Sequence, residues 1–293
     1  MNAVENDIII NFTPTGMLPT KEMTAHVPIS VEEIIDDVLE AYDQGITMVH
    51  LHARDELGKP THKKELYAKI IGGIRKYAKD LVIGVSLSGR NISDVKKRAE
   101  VLELENELKP DMGSLTLSSL NFNKVASINS PDTINELVKI LNEKGVLPEF
   151  EAFDAGMINY AKYLENKKLI EAPFYFNLLL GNIACAQPDP LHIGVMIKDL
   201  PENTLWSLAG IGNAQLQVNS LSIAMGGGVR VGLEDNIWFD KKRTVKAKNI
   251  DLIKRIHRLI ECNDADWMKP SEFRTKMNLK AGINGRYGRN IIK

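Results

Sequence analysis

The chain has 293 residues, 44% of them hydrophobic and 26% charged, with a formal net charge of -1. Such a composition excludes a disordered or membrane-resident chain, and the near-zero balance argues against a dedicated nucleic-acid binder, which carries a basic excess. Two cysteines, Cys185 and Cys262, are too few for a disulfide framework and suit a reducing compartment.

The first strand-like run, residues 8–15, follows Glu5 and Asp7 rather than the charged head and long apolar core of a signal peptide. No apolar run approaches the roughly 18–20 residues that span a bilayer, so a cytoplasmic protein is expected. Ser30 with Glu33 then makes a capping box ahead of Val31, Ile34, Ile35, Val38 and Leu39 on one helix face, with Gly45 as the stop. The next run, 48–54, holds His50 and His52; runs 81–88 and 112–119 follow. Ser130-Pro131 caps a second clear helix, whose stripe Ile134, Leu137, Val138, Leu141 ends near Gly145. Runs 147–154, 174–181, 205–210 and 229–235 complete the series, and Leu252, Ile253, Ile256, Leu259 and Ile260 mark the last helix. Strict β-α alternation implies a parallel sheet, and about eight units in this length predict an α/β fold of the closed (β/α)8 TIM barrel type. An open doubly wound sheet is the alternative. With no linker or low-complexity segment, a single domain over residues 1–293 is expected, with a tail extension at about 263–293.

Active sites of such barrels sit where strands end, and polar residues concentrate there. They are Thr13 and Thr15; His50, His52 and Arg54; Ser86 and Ser88; Ser118, Ser119 and Asn121; Glu149, Glu151 and Asp154; Asn177; and Arg230, Glu234 and Asp235. Inside a barrel they are costly unless paired or functional. Ser118 and Asp154 fit helix caps as well as site residues. His50 and His52 point the same way from a strand and can chelate a transition metal, zinc above others, with a distant carboxylate completing the set. The same spacing also fits two partly exposed polar residues without a ligand role. Arg230 and Glu234 share a face, as an ion pair or as site residues. His26, His62, His192 and His257 have no partner at ligand spacing, and His257 is placed on a helix surface.

These residues fall into a known pattern. The segments Val49-His50-Leu51-His52-Ala53-Arg54-Asp55, Thr15-Gly16 with Thr20-Lys21-Glu22 and Val27-Pro28, Ser118-Ser119-Leu120-Asn121-Phe122, Trp206-Ser207, and Val229-Arg230-Val231-Gly232-Leu233-Glu234-Asp235-Asn236 together carry it. The chain resembles the beta-keto acid cleavage enzymes. The resemblance implies a zinc-dependent barrel in which a β-keto acid reacts with acetyl-CoA to give acetoacetate and a new acyl-CoA. It implies His50, His52 and Glu234 as zinc ligands, Arg230 and Asp235 as paired catalytic residues, and Ser86 as a catalytic serine. Ser119 falls where the family often has threonine, and Asn121 matches a pocket asparagine. Thr15, Leu18, Ser88 and Glu151 are expected beside the substrate.

Two departures bear on substrate. The family's prototype has a glutamate that pairs with a substrate ammonium where this chain has Leu18, so an amino-bearing substrate is not expected. Ser86-Leu87-Ser88-Gly89-Arg90 replaces a longer Thr/Gly-rich turn, and Arg90 either favours a more anionic substrate or is solvated. Gly226-Gly227-Gly228 precedes the last strand and is read as a structural turn. Gly210-Ile211-Gly212-Asn213 follows the seventh strand, where backbone amides can meet CoA phosphates at a helix start. The basic tail, with Lys269, Arg274, Lys276, Lys280, Arg286 and Arg289, is expected to be solvated or to contact another subunit or CoA. A homo-oligomer, dimer or tetramer, is expected, with no nucleic-acid or membrane partner. Two other classes fit in part: an amidohydrolase-type zinc hydrolase, which needs further histidines after middle strands that 149–154 and 174–181 lack, and a non-catalytic acyl-CoA or metabolite binder, which would lack some of the chemical groups kept here.

Overall fold

The computed structural model describes residues 7–282 and 286–290. Glu5, used above in reading the amino terminus, and the end of the tail at 291–293 lie outside the described residues. Eight parallel strands close into a barrel in chain order: β1 (Ile10–Phe12), β2 (Met48–Leu51), β3 (Val82–Val85), β4 (Met112–Thr116), β5 (Leu147–Ala152), β6 (Phe174–Leu180), β7 (Thr204–Gly210) and β8 (Gly228–Val231). β8 returns beside β1, with Asn11 opposite Arg230. Each expected run overlaps one barrel strand, with Thr204 and Gly228 starting theirs one residue earlier; His52, Ser86, Ser88, Glu234 and Asp235 extend past the ladder into the loops.

Helices α1 (Val31–Gln44), α2 (Lys64–Arg75), α3 (Val95–Arg98), α4 (Pro131–Lys144), α5 (Ala155–Asn166), α6 (Pro190–Asp199), α7 (Gln215–Ala224) and α8 (Asn249–Glu261) follow the strands in turn. The Ser30–Glu33 capping box forms as expected, with Ser30 Oγ accepting from Glu33 N at 3.1 Å and the Glu33 carboxylate accepting from Ser30 N at 3.1 Å. Ser130 caps α4 and Gly145 ends it in the left-handed region. The third crossover differs from the rest: α3 is a single turn followed by two short 3-10 segments. Two small hairpins also interrupt the pattern, Ala53–Arg54 with Pro60–Thr61 after β2, and Leu120–Asn121 with Ala126–Ser127 after β4.

The tail corrects one expectation. A ninth helix, α9 (Pro270–Lys276), plugs the mouth at the strand starts: Met268, Phe273 and Met277 pack on Ile9, Met48, Val82, Met112, Leu147 and Tyr175. Arg274 is buried rather than solvated, donating to Asp111 at 2.9 and 2.8 Å, with Arg75 on the same carboxylate at 3.2 Å. These two guanidiniums outweigh burial and hold the Asp111 carboxyl below its ordinary range. Arg289 is buried as well, while Lys269, Lys276 and Arg286 are exposed. The plugged mouth is opposite the strand ends, so α9 keeps Arg274 away from a substrate there. His257 is likewise half-buried, its Nε2 at 2.8 Å from the Gly45 carbonyl, rather than free on the helix surface. Among the described residues no helix is long and apolar enough to cross a membrane.

Candidate active site

The opposite mouth opens into a cavity of about 520 Å³ that His52, Ser86, Ser88, Arg90, Glu151, Arg230, Glu234 and Asp235 help to line. His52 of the β2 segment lines it, and His50 lies buried against His52. His50 Nε2 lies 3.2 Å from His52 Nε2, and His52 Nε2 lies 3.2 Å from Glu234 Oε1. Each of the three offers a ligand atom within 4.8 Å of the others.

Three observations fit a metal cation there. The other ring nitrogen of His50, Nδ1, faces Glu149 Oε2 at 2.8 Å. A carboxylate only accepts, so Nδ1 carries a proton, and in the neutral ring Nε2 then keeps its lone pair toward the cluster. Second, the two imidazole Nε2 atoms and Glu234 Oε1 converge, successive atoms 3.2 Å apart, although Glu234 Oε1 already accepts from Arg230 Nη2 at 2.7 Å. Finally, Glu234 Oε2 is buried without a hydrogen-bond partner. Two neutral imidazoles and one carboxylate form the donor set of an open catalytic zinc site.

Glu149 was visible in the sequence only as a polar strand end. Fully buried in β5, its Oε1 accepts from Asn11 Nδ2 at 2.8 Å and Asn177 Nδ2 at 2.6 Å. Burial opposes its ionisation, but His50, Arg230 and Asn11 outweigh that and hold the carboxyl below its ordinary range. Gly84 on β3 provides the room: a Cβ there would come within 2.8 Å of Glu149 Oε2. Tyr175 extends the network, donating to Ser207 Oγ at 2.8 Å.

Arg230, 2% exposed, joins the acids of the cavity. Its Nη2 donates to Glu234 Oε1 at 2.7 Å, its Nε to Asp235 Oδ2 at 3.2 Å, and its Nη1 lies 3.5 Å from Glu151 Oε1. Those carboxylates overcome the desolvation of Arg230 and keep it protonated, its pKa well above the ordinary value. The pKa of Asp235 shifts upward instead, because burial and the neighbouring Glu234 outweigh Arg230. Thr13 Oγ1 also donates to Asp235 Oδ2, at 3.3 Å. A buried acid with a raised pKa beside a fixed cation is suited to carrying a proton. Backbone fit holds the pair in place: Gly16 has φ +64°, and a Cβ there would approach Glu234 Cγ to 2.5 Å.

Of the other expected residues, Ser86 and Ser88 line the cavity after β3. His62, buried behind them, sits with Nε2 3.2 Å from the Ser88 carbonyl; burial, then His52, pushes its pKa down to about 4 and keeps it neutral. Leu18 lies at the cavity wall, and Glu151 accepts from Thr116 Oγ1 at 2.8 Å. Thr15 is buried, its hydroxyl without a partner. Ser119 is turned away from the cavity: its Oγ accepts from Asn129 N at 2.8 Å. Asn121 is exposed, and its hairpin presents Phe122, Asn123 and Lys124 to the cavity instead. Gly210 ends β7, and the Gly212 N–H is already donated to the Asp235 carbonyl at 2.8 Å. Arg54, another residue whose role sequence reasoning left open, ties down the loop carrying Leu18 by donating to the Gly16 and Pro19 carbonyls.

Fold and site define a class: a (β/α)8 barrel enzyme with a cluster of two histidines and a carboxylate, and an arginine-held acid, at the strand ends. Over residues 7–279 the chain matches the family described as beta-keto acid cleavage enzyme. It is 36% identical over 275 residues to the 3-keto-5-aminohexanoate cleavage enzyme of Fusobacterium nucleatum subsp. nucleatum, covering 93% of this chain and 98% of that one. It is 33% identical over 257 residues to the 3-oxoadipate:acetyl-CoA acetyltransferase of Cupriavidus necator, covering 86% and 88%. A solved ternary complex of ObcA with a C4-CoA adduct and oxalate shares the fold, with a TM-score of 0.77 at 19% identity over 87% of this chain and 68% of that one. The chain belongs to the beta-keto acid cleavage enzyme family.

Proposed function

We propose that the chain is a zinc-dependent β-keto acid:acetyl-CoA transferase, releasing acetoacetate and a new acyl-CoA. The observation that carries this reading is the convergence of the His50–His52–Glu234 cluster and the Arg230–Asp235 pair in one cavity. Relatives at 36% and 33% identity whose names describe cleavage of a β-keto acid, or acetyl transfer between one and acetyl-CoA, support it. His50, His52 and Glu234 would hold the zinc, which when bound would supply Lewis acidity favouring negative charge on a substrate oxygen.

The rest of the chemistry falls to the chain's own groups. Asp235 removes a proton from C2 of the β-keto acid, and Ser86 assists that transfer. The C2 carbanion adds to the acetyl carbonyl of acetyl-CoA and expels the CoA thiolate. That thiolate attacks C3 of the original keto acid, the C2–C3 bond breaks, and Asp235 returns its proton to C2 of acetoacetate. The acyl group leaves on CoA, so atoms and charge balance. Arg230 neutralises charge as it develops and holds Asp235 in orientation. Ser88 and Glu151, which line the cavity, border the substrate, whereas Thr15 is fully buried outside that lining, and the turn at Gly210 and Gly212 lies toward CoA. Apolar Leu18, 59% exposed, offers no partner to a substrate ammonium. A homo-oligomer in the cytoplasm completes the reading, and Leu191 and Val195 present apolar surface along α6 for such an assembly.

The test is acetyl-CoA-dependent turnover of a panel of β-keto acids before and after chelation. Acetoacetate should form, stop when the metal is stripped, and return with zinc. Turnover that survives complete metal removal contradicts the metal role, and no acetyl-CoA-dependent product from any keto acid contradicts the reaction.

A further inference from the structure

The cavity has a charge that the chemistry above does not use. Its three carboxylates, Glu151, Glu234 and Asp235, all face Arg230. Two more cations line it, Arg90 and Lys124, and among the described residues neither forms an ion pair with them. Lys124 is exposed on the hairpin after β4. Arg90 is held differently. Its guanidinium carbon lies 3.4 Å from the centre of the Phe122 ring, and its Nε is buried with no hydrogen-bond partner.

The loop bearing Arg90 is itself fixed. Arg90 N donates to Ser88 Oγ at 3.3 Å, while Arg98 braces the loop from behind, donating to the Leu87 carbonyl at 2.7 Å and Asn129 Oδ1 at 2.8 Å. Stacking fixes the guanidinium plane and leaves its edge as a planar fork of donors, the shape that matches a carboxylate. Burial works against its charge, and the carboxylates of Glu234 and Glu151 favour it. Met17, Leu18 and Met23 line the same cavity, are apolar and bring no counter-ion. A partly desolvated cation without a counter-ion is costly until an anion arrives. A tail bearing an ammonium would meet like charge from both Arg90 and Lys124.

We propose that Arg90 is a specificity-determining residue that receives a second carboxylate at the far end of the keto acid, making a β-keto dicarboxylic acid the substrate class. This rests on the β-keto acid reading of the same cavity. The reacting carboxylate stays near the His50–His52–Glu234 cluster, and the distal one pairs with the guanidinium edge above Phe122.

The test compares two keto acids of equal length, 3-oxoadipate and 3-oxohexanoate, which differ by a terminal carboxylate against a methyl. Wild type should favour 3-oxoadipate. R90M should cut the ratio of kcat/KM values by roughly 10–100-fold, the worth of a charge-assisted pair. R90K should keep part of the preference, which a merely structural arginine would not do. An unchanged ratio in R90M overturns the proposal. So does an equal loss for both acids with a raised KM for acetyl-CoA, which would assign Arg90 to the CoA phosphates. If wild type turns over neither acid, the wider keto-acid panel decides on the transfer reading, and calorimetric binding of the same two acids still decides on Arg90. Tighter dicarboxylate binding lost in R90M supports it, and equal binding of the two acids by wild type overturns it.

Discussion

Glu149→Gln isolates the role of the carboxylate behind the metal cluster. Glutamine is nearly isosteric, so the cavity beside Gly84 stays filled. The Asn11 and Asn177 amides both donate to Oε1, which fixes the glutamine carbonyl at that position and turns its amide nitrogen toward His50 Nδ1, 2.8 Å away in the native site. Nδ1 must then accept, and the proton moves to Nε2, where it occupies the lone pair that a metal needs. Loss of such a partner lowers metal affinity by about 10–100-fold, or about 1.4–2.8 kcal/mol. Replacing charge-assisted hydrogen bonds with neutral ones also costs about 1 kcal/mol of folding stability. Zinc titration against a competing chelator, with circular dichroism to confirm the fold, measures the effect. A folded E149Q protein that binds zinc as tightly as wild type would refute the tautomer argument.

Asp235→Asn should lower kcat by roughly 100–10,000-fold with little change in substrate KM, as expected for loss of a proton carrier; a change confined to KM makes Asp235 a binding residue. Asp37 concerns stability rather than chemistry. Burial raises its pKa to about 7, against the donated hydrogen bond from Asn249 at 2.6 Å. The folded chain thus holds this proton up to about pH 7, while the unfolded chain releases it near pH 4, so stability falls as pH rises through that window and levels off above it. Asp37→Asn should remove the penalty, gaining about 2 kcal/mol at about pH 8 after discounting for partial exposure, and almost nothing near pH 4. Denaturant titrations at the two pH values check this, and an equal gain at both contradicts it. At the plugged mouth, Arg274→Met strands part of the Asp111 charge and should cost about 3–5 kcal/mol in the same assay; a loss under about 1 kcal/mol would show that Arg75 alone compensates.

The barrel was legible because strand and helix periods are local signals, and caps such as Ser30 and Ser130 mark the boundaries within a few residues. The His50–His52 pair was legible for the same reason: alternation on a strand places both rings on one side. What Glu149 does was not legible, since it meets His50 across the barrel interior from a strand 99 positions away. Arg274 looked like one of several tail cations, and only the buried Asp111, 163 positions earlier, distinguishes it. The hairpin after β4 shows a different limit. Ser119 and Asn121 sit in a segment whose short antiparallel pairing decides which side chains face inward, and that register sends Phe122 and Lys124 to the cavity. The place of Arg90 follows from it, because the ring that orients the guanidinium belongs to that hairpin.

Carbon tracing tests the central reaction most directly. Acetyl-CoA labelled at its carbonyl carbon is incubated with an unlabelled β-keto acid and the zinc-loaded enzyme, and the products are read by carbon NMR. Transfer as described puts the label at C3 of acetoacetate and leaves the new acyl-CoA unlabelled. Label retained in the CoA product, or acetoacetate formed without it, would contradict transfer to acetyl-CoA in this cavity.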